Sequence, residues 1–149
     1  MKVINDGKTH INVYSKAKTI LGKMLSNFSS YYIDTPYGRF ASLEGYWYWL
    51  VTGKQHNELR IAYGFKAKEL GRKLLNGLPE WDNSPGFRLR IVAALLNKII
   101  QHEEIEKEFI KNDLPFDHYY VYGDKVITVP NNKWINDFLN FLREEIIKE

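Results

Sequence analysis

The stretch over residues 25–53, LSNFSSYYIDTPYGRFASLEGYWYWLVTG, does most to narrow what this chain folds into. Its only acids are Asp34 and Glu44 and its only base is Arg39, so the rest is apolar, aromatic or small. Ser42 is a natural N-cap for a helix over 43–52, which Gly53 ends. Ahead of it, residues 31–34 and 39–41 predict the strands of a hairpin. Thr35-Pro36-Tyr37-Gly38 is its turn, with proline at the second position and glycine to close. Glu44 then falls in the first turn of the helix, where the helix dipole favours its ionised form. The rings around it, Phe40, Tyr46, Trp47, Tyr48 and Trp49, favour burial and push the other way. A carboxylate set among rings finds a partner, shifts its pKa, or does chemistry.

The rest of the chain reads as a mostly helical α+β single domain over 1–149 with short β-hairpins, and it shows no internal repeat or linker. Residues 9–14 alternate like a short strand, and Ser15 caps a predicted helix over 16–24, weakened by Gly22. Residues 56–62 suggest a short helix or turn. A clearer helix follows from Phe65, with Ala67, Leu70, Gly71 and Leu74 on one face and Gly77 at its end. Gly71 costs that helix about 0.5–1 kcal/mol relative to alanine, so close packing or ligand approach is expected there. The loop over 78–86 carries Trp81, and Ser84-Pro85 opens a helix over 87–101 that is apolar nearly all round and predicted to be buried. An amphipathic helix over 103–112 points Ile105, Phe109 and Ile110 inward. A hairpin pairs 116–122 with 125–129 around Gly123-Asp124, and a last helix spans 132–147.

Aromatics make up 15% of the residues, which suits a ring-binding pocket and a core of large side chains equally well. The chain has no cysteine, hence no disulfide framework, which fits a reducing cytoplasm. His10, His56, His102 and His118 are scattered without an H-x-x-x-H pair, so no metal or other cofactor is expected. No leader-like apolar segment occurs at the start and no run approaches the ~20 apolar residues of a membrane span, so a soluble, cytoplasmic protein without a membrane partner is expected. The net charge of +3 does not by itself imply nucleic acid. Taken one at a time, the candidate groups have plain structural readings. Glu44 supports its own helix, and Lys66, Lys68, Arg72 and Lys73 form a solvated face. Trp81, Tyr119, Tyr120 and Tyr122 fill a core, and Asp124 sits in a turn.

Together these pieces resemble the NADAR family. Ser26-Asn27-Phe28, then a hairpin, then Ser42-Leu43-Glu44-x-Tyr46 is similar to that family's S-N-F segment and (P/S)-x-E-H-Y helix start. Ala67 to Arg72 resembles its A-x-x-x-G-R segment, Trp81 stands where it has a tryptophan, and Tyr120-Val121-Tyr122-Gly123-Asp124 resembles its Y-W-G-D turn. The order and spacing match over roughly 25–146. Gly45 replaces the family's histidine, Tyr48-Trp49-Leu50-Val51 replaces a Q-A-x-K-like continuation, and Tyr122 replaces a tryptophan. The resemblance implies a metal-independent N-glycosidase acting on an ADP-ribose- or ribose-phosphate-linked substrate, such as ADP-ribosylated guanine, free or in DNA, or a riboflavin-pathway intermediate. It implies Glu44 as the catalytic carboxylate, with Asn27, Phe28, Tyr46, Lys68, Arg72, Trp81, Tyr122 and Asp124 as substrate contacts. Two rivals stand beside it: a module that binds ADP-ribose or a nucleotide without cleaving it, and a nucleic-acid-binding protein using the Lys66 to Lys73 face.

Overall fold

The structure, a computed structural model, describes residues 3–147. It is a mixed α+β fold, mostly helical, with its strands in two-stranded sheets. In chain order the elements begin with β1 (Ile11–Asn12), α1 (Ile20–Leu25), β2 (Ile33–Thr35), β3 (Gly38–Phe40), α2 (Leu43–Val51), α3 (Gly64–Leu75) and α4 (Pro85–Gln101). They continue with α5 (Glu103–Lys111), β4 (Phe116–Asp117), β5 (Tyr119–Tyr122), β6 (Lys125–Thr128) and α6 (Lys133–Ile147). Contacts divide the chain into two compact units: a central one over Asn27–His102, and one built from the stretches on either side of it.

The central unit follows its cap and turn signals. β2 and β3 pair antiparallel with Ile33 opposite Phe40 and Thr35 opposite Gly38, whose φ of +107° closes the turn. Ser42 caps α2, accepting a hydrogen bond from the Gly45 amide at 3.0 Å. The aromatic run of α2 forms core: Tyr46 packs between Phe40 and Trp49, with ring centroids 4.8 and 6.4 Å away, and Trp47 meets Phe87 edge-on at 4.9 Å. Ala67 and Gly71 are the buried positions of α3. A left-handed Asn76 followed by Gly77 at φ +88° ends that helix.

Helix α4 corrects the expectation of burial all round. Leu89 is 68% exposed and Ile100 56%, while Lys98 is completely buried. Helical period explains both. Phe87, Ile91, Ala94, Leu95, Lys98 and Ile99 recur on one stripe, and the position on that stripe, rather than polarity, decides what is covered.

In the flanking unit two expectations shift. The helix expected over 16–24 begins only at Ile20, because Thr19 takes the N-cap and accepts from the Gly22 amide at 2.9 Å. Gly22 is required there: a Cβ would lie 2.2 Å from the Asn12 carbonyl oxygen on β1. The strand expected over 116–122 is split. Phe116–Asp117 leaves the hairpin to pair in parallel with Ile11–Asn12, and only Tyr119–Tyr122 pairs with Lys125–Thr128. The Asn12 side chain fixes the junction, accepting from the Tyr119 amide at 3.0 Å and donating to its carbonyl at 3.1 Å. Ile110, expected inward, is 47% exposed, whereas Ile105 and Phe109 are buried. Ile135 and Leu139 carry the inner face of α6.

Candidate active site

Helix α2 sets Glu44 in its first turn, two residues past the cap, as the Ser42 signal predicts. The segment before β2 meets it there. The Glu44 amide donates to the Asn27 carbonyl at 2.9 Å, and the Asn27 side chain hydrogen-bonds the Glu44 carboxyl. The Gly64 amide donates to the Phe28 carbonyl at 3.0 Å, tying the next residue to the start of α3. Lys68 of α3 has its Nζ 5.9 Å from the Phe28 ring centroid. Asn27, Phe28, Glu44 and Lys68 therefore gather around the starts of α2 and α3.

Burial pushes the Glu44 carboxyl up to about 7. Lys68, Arg72 and the Asn27 hydrogen bond oppose that shift, and the charge of Glu80 adds to it. Glu80 belongs to the loop between α3 and α4, and the sequence pattern alone does not single it out. Its Oε1 accepts from Arg72 Nε at 2.9 Å and from the Tyr48 hydroxyl. Its backbone carbonyl accepts from Trp47 Nε1 at 2.8 Å. Burial pulls Glu80 upward too, but the bonds from Tyr48 and Arg72 outweigh it and leave its pKa below the usual glutamate value. The Tyr48 hydroxyl is driven above its ordinary range, first by burial and then by Glu80. Two neighbouring carboxylates thus differ in protonation near neutral pH, the arrangement by which one side chain gives a proton while the other stays charged. The signal for Glu80 in the sequence is faint: an acid before Trp81 in a loop, one of many loop acids.

The remaining expected contacts fall in three groups. Arg72 stands one helical turn after Lys68, with its Nε engaged by Glu80. Trp81, directly after Glu80, is 45% exposed. Tyr46 is a correction: it has no exposed surface and packs against Phe40 and Trp49, so it offers a ligand nothing to touch and serves as core. Tyr122 and Asp124 belong to the flanking unit, exposed at the tip of the β5–β6 hairpin, where Gly123 takes φ +62°.

Gly45 has a structural explanation. A Cβ at this position would lie 2.4 Å from the Leu59 carbonyl oxygen and 3.1 Å from that of Ala62. The segment carrying the 3-10 helix Asn57–Arg60 is stitched across the start of α2. Ser42 Oγ donates to the Ala62 carbonyl at 2.8 Å, and the Ala41 amide donates to the Arg60 carbonyl at 2.7 Å. Backbone occupies the space a side chain would need. Among the described residues, no group of three or more His, Asp and Glu side chains is placed to hold a metal ion, and no helix is long and apolar enough to cross a membrane.

Comparison of the chain with known protein families, with curated proteins and with solved structures finds no match. The NADAR resemblance therefore rests on the short motifs themselves.

Proposed function

We propose that the protein is an N-glycosidase that hydrolyses the bond between a ribose carbon and a nitrogen in an ADP-ribose- or ribose-phosphate-linked substrate. The supporting observation is Glu44: a carboxyl at a helix start, buried, held by Asn27, and shifted up to about 7. Cleaving such a bond develops positive charge on the sugar and leaves electrons on a nitrogen that needs a proton. A carboxyl that titrates near neutrality is suited to that work. Lys68 and Arg72 provide positive charge for phosphate groups, and Phe28 and Trp81 provide rings for stacking on a base.

Two assays run together test this: release of product from ADP-ribosylated guanosine and from ribose-phosphate intermediates, and calorimetric titration with ADP-ribose. The wild type is expected to turn over one of these, and Glu44→Gln to bind ADP-ribose while losing about 100-fold or more in rate. Binding by both proteins with turnover by neither would make this a binding module instead.

A further inference from the structure

We propose that Glu80 is a second catalytic carboxylate of this site, acting through its free oxygen as the base for the attacking water while Glu44 protonates the departing nitrogen. This rests on the N-glycosidase reading above and assigns the half of the reaction that Glu44 leaves uncovered.

The geometry of Glu80 is that of a held, half-used carboxylate. Both hydrogen bonds it receives, from Tyr48 and from Arg72 Nε, land on Oε1. Among the described residues none lands on Oε2. The side chain remains 31% exposed, so water and a ligand can reach it. A loop glutamate ordinarily samples many rotamers. This one is fixed through its carboxylate by two helices and through its carbonyl by Trp47. Such fixing of one oxygen with the other open is what a positioned base requires. Its support is itself built in: Gly71 lets the Tyr48 ring lie where an alanine Cβ would sit 2.1 Å from it, which brings the hydroxyl to Glu80.

The charges agree with the division of labour. The groups facing Glu44 are Tyr48 on its own helix, Lys68 and Arg72 on α3, Glu80 on the following loop, and Asn27. Glu80 is ionised where Glu44 keeps its proton. In the reaction the carbon–nitrogen bond breaks with its electron pair leaving on nitrogen, which takes the Glu44 proton. Water oxygen bonds to the ribose carbon and passes a proton to Glu80 Oε2. That proton returns through solvent to Glu44, so each turnover consumes one water and restores both carboxyls.

The test is the pH–rate profile of wild type, Glu80→Gln and Tyr48→Phe on the substrate the wild type cleaves, with formate added back to Glu80→Ala. Glu80→Gln is expected to lose about 100-fold or more in rate, and its high-pH limb, set by the Glu44 proton, is expected to move to lower pH because a neighbouring negative charge is gone. Tyr48→Phe, which keeps the carboxylate and removes one anchor, is expected to lose less. Formate is expected to restore about tenfold to Glu80→Ala, as a small carboxylate standing in for the missing base. Glu80→Gln within about threefold of wild type, or an unmoved limb, would overturn the role of Glu80 and leave Glu44 standing. A wild type that cleaves none of the candidate substrates would sink both.

Discussion

A glutamate in the first turn of a helix ordinarily adds up to about 1 kcal/mol by meeting the helix dipole. Glu44 reverses that sign. The folded chain keeps its proton up to about 7, whereas the unfolded chain releases it near 4.5, so the folded state binds the extra proton between those values. Stability therefore falls as pH rises through that window, and the full cost is present above it. Glu44→Gln is expected to be more stable than wild type by about 2–3 kcal/mol at alkaline pH and to lose that advantage below the unfolded value, measured by urea unfolding at both ends. An advantage independent of pH would show that burial is not what shifts this carboxyl. Gly45 makes a second residue-scale case. Gly45→Ala places a methyl against the Leu59 carbonyl, and neither the Ser42–Ala62 bond nor the Ala41–Arg60 bond lets that segment retreat cheaply. A loss of about 1–3 kcal/mol is expected in the same unfolding assay. The oddity of Glu44 was visible in the sequence because polarity among rings is a local signal. The reason for Gly45 was not, since the atoms that exclude its side chain come from more than a dozen residues downstream.

At the scale of elements, α2 and α3 are joined through Gly71. On propensity alone, Gly71→Ala should help α3 by about 0.5–1 kcal/mol. Contact with the Tyr48 ring, 2.1 Å from the added Cβ, overrides this, and the ring has helix α2 behind it. A net loss of about 1–3 kcal/mol is expected, with Trp and Tyr fluorescence changed in the folded state as the Tyr48–Glu80 anchor is displaced. Unchanged stability would mean that the two helices slide apart without cost. The element boundaries that could be read from sequence are those with local chemistry: the Ser42 and Ser84 caps, the Pro36-Tyr37 turn, and the Gly77 stop. Those that could not be read depend on distant partners. Nothing local in Phe116–Asp117 tells it to leave its hairpin for Ile11–Asn12, about a hundred residues away in the chain. Apolar composition likewise does not say which side of α4 is covered, so Leu89 emerges exposed and Lys98 buried. The candidate site divides the same way. Glu44 stands out in the sequence as a carboxylate among rings and Lys68 and Arg72 enter only through the family resemblance, while Glu80 is recognised only by the bonds that Tyr48, Arg72 and Trp47 send to it.

For the whole molecule, the consequence of burying ionisable groups is an unusual dependence of stability on pH. Lys98 is completely buried, donates from Nζ to Ser29 Oγ at 2.5 Å, and is pulled by burial down to about 7. The unfolded chain holds that proton up to about 10.5. Between the two values the unfolded state binds more protons, so this group makes stability rise with pH; below about 7 its full cost is present. Glu44 works in the opposite direction over the range below 7. The two contributions add to a trough near neutrality, where an ordinary domain is close to its most stable. Arg143, also buried, stays charged throughout and does not alter the shape. Urea unfolding of the wild type from roughly pH 5 to 10 is expected to show that trough. Lys98→Met is expected to remove the rise on its alkaline side, and Glu44→Gln the fall on its acidic side. A Lys98→Met curve parallel to wild type above neutrality would mean that the lysine stays protonated inside the fold, held by its hydrogen bonds rather than discharged by burial. A trough that persists at the same depth in the double variant would place its origin in other groups.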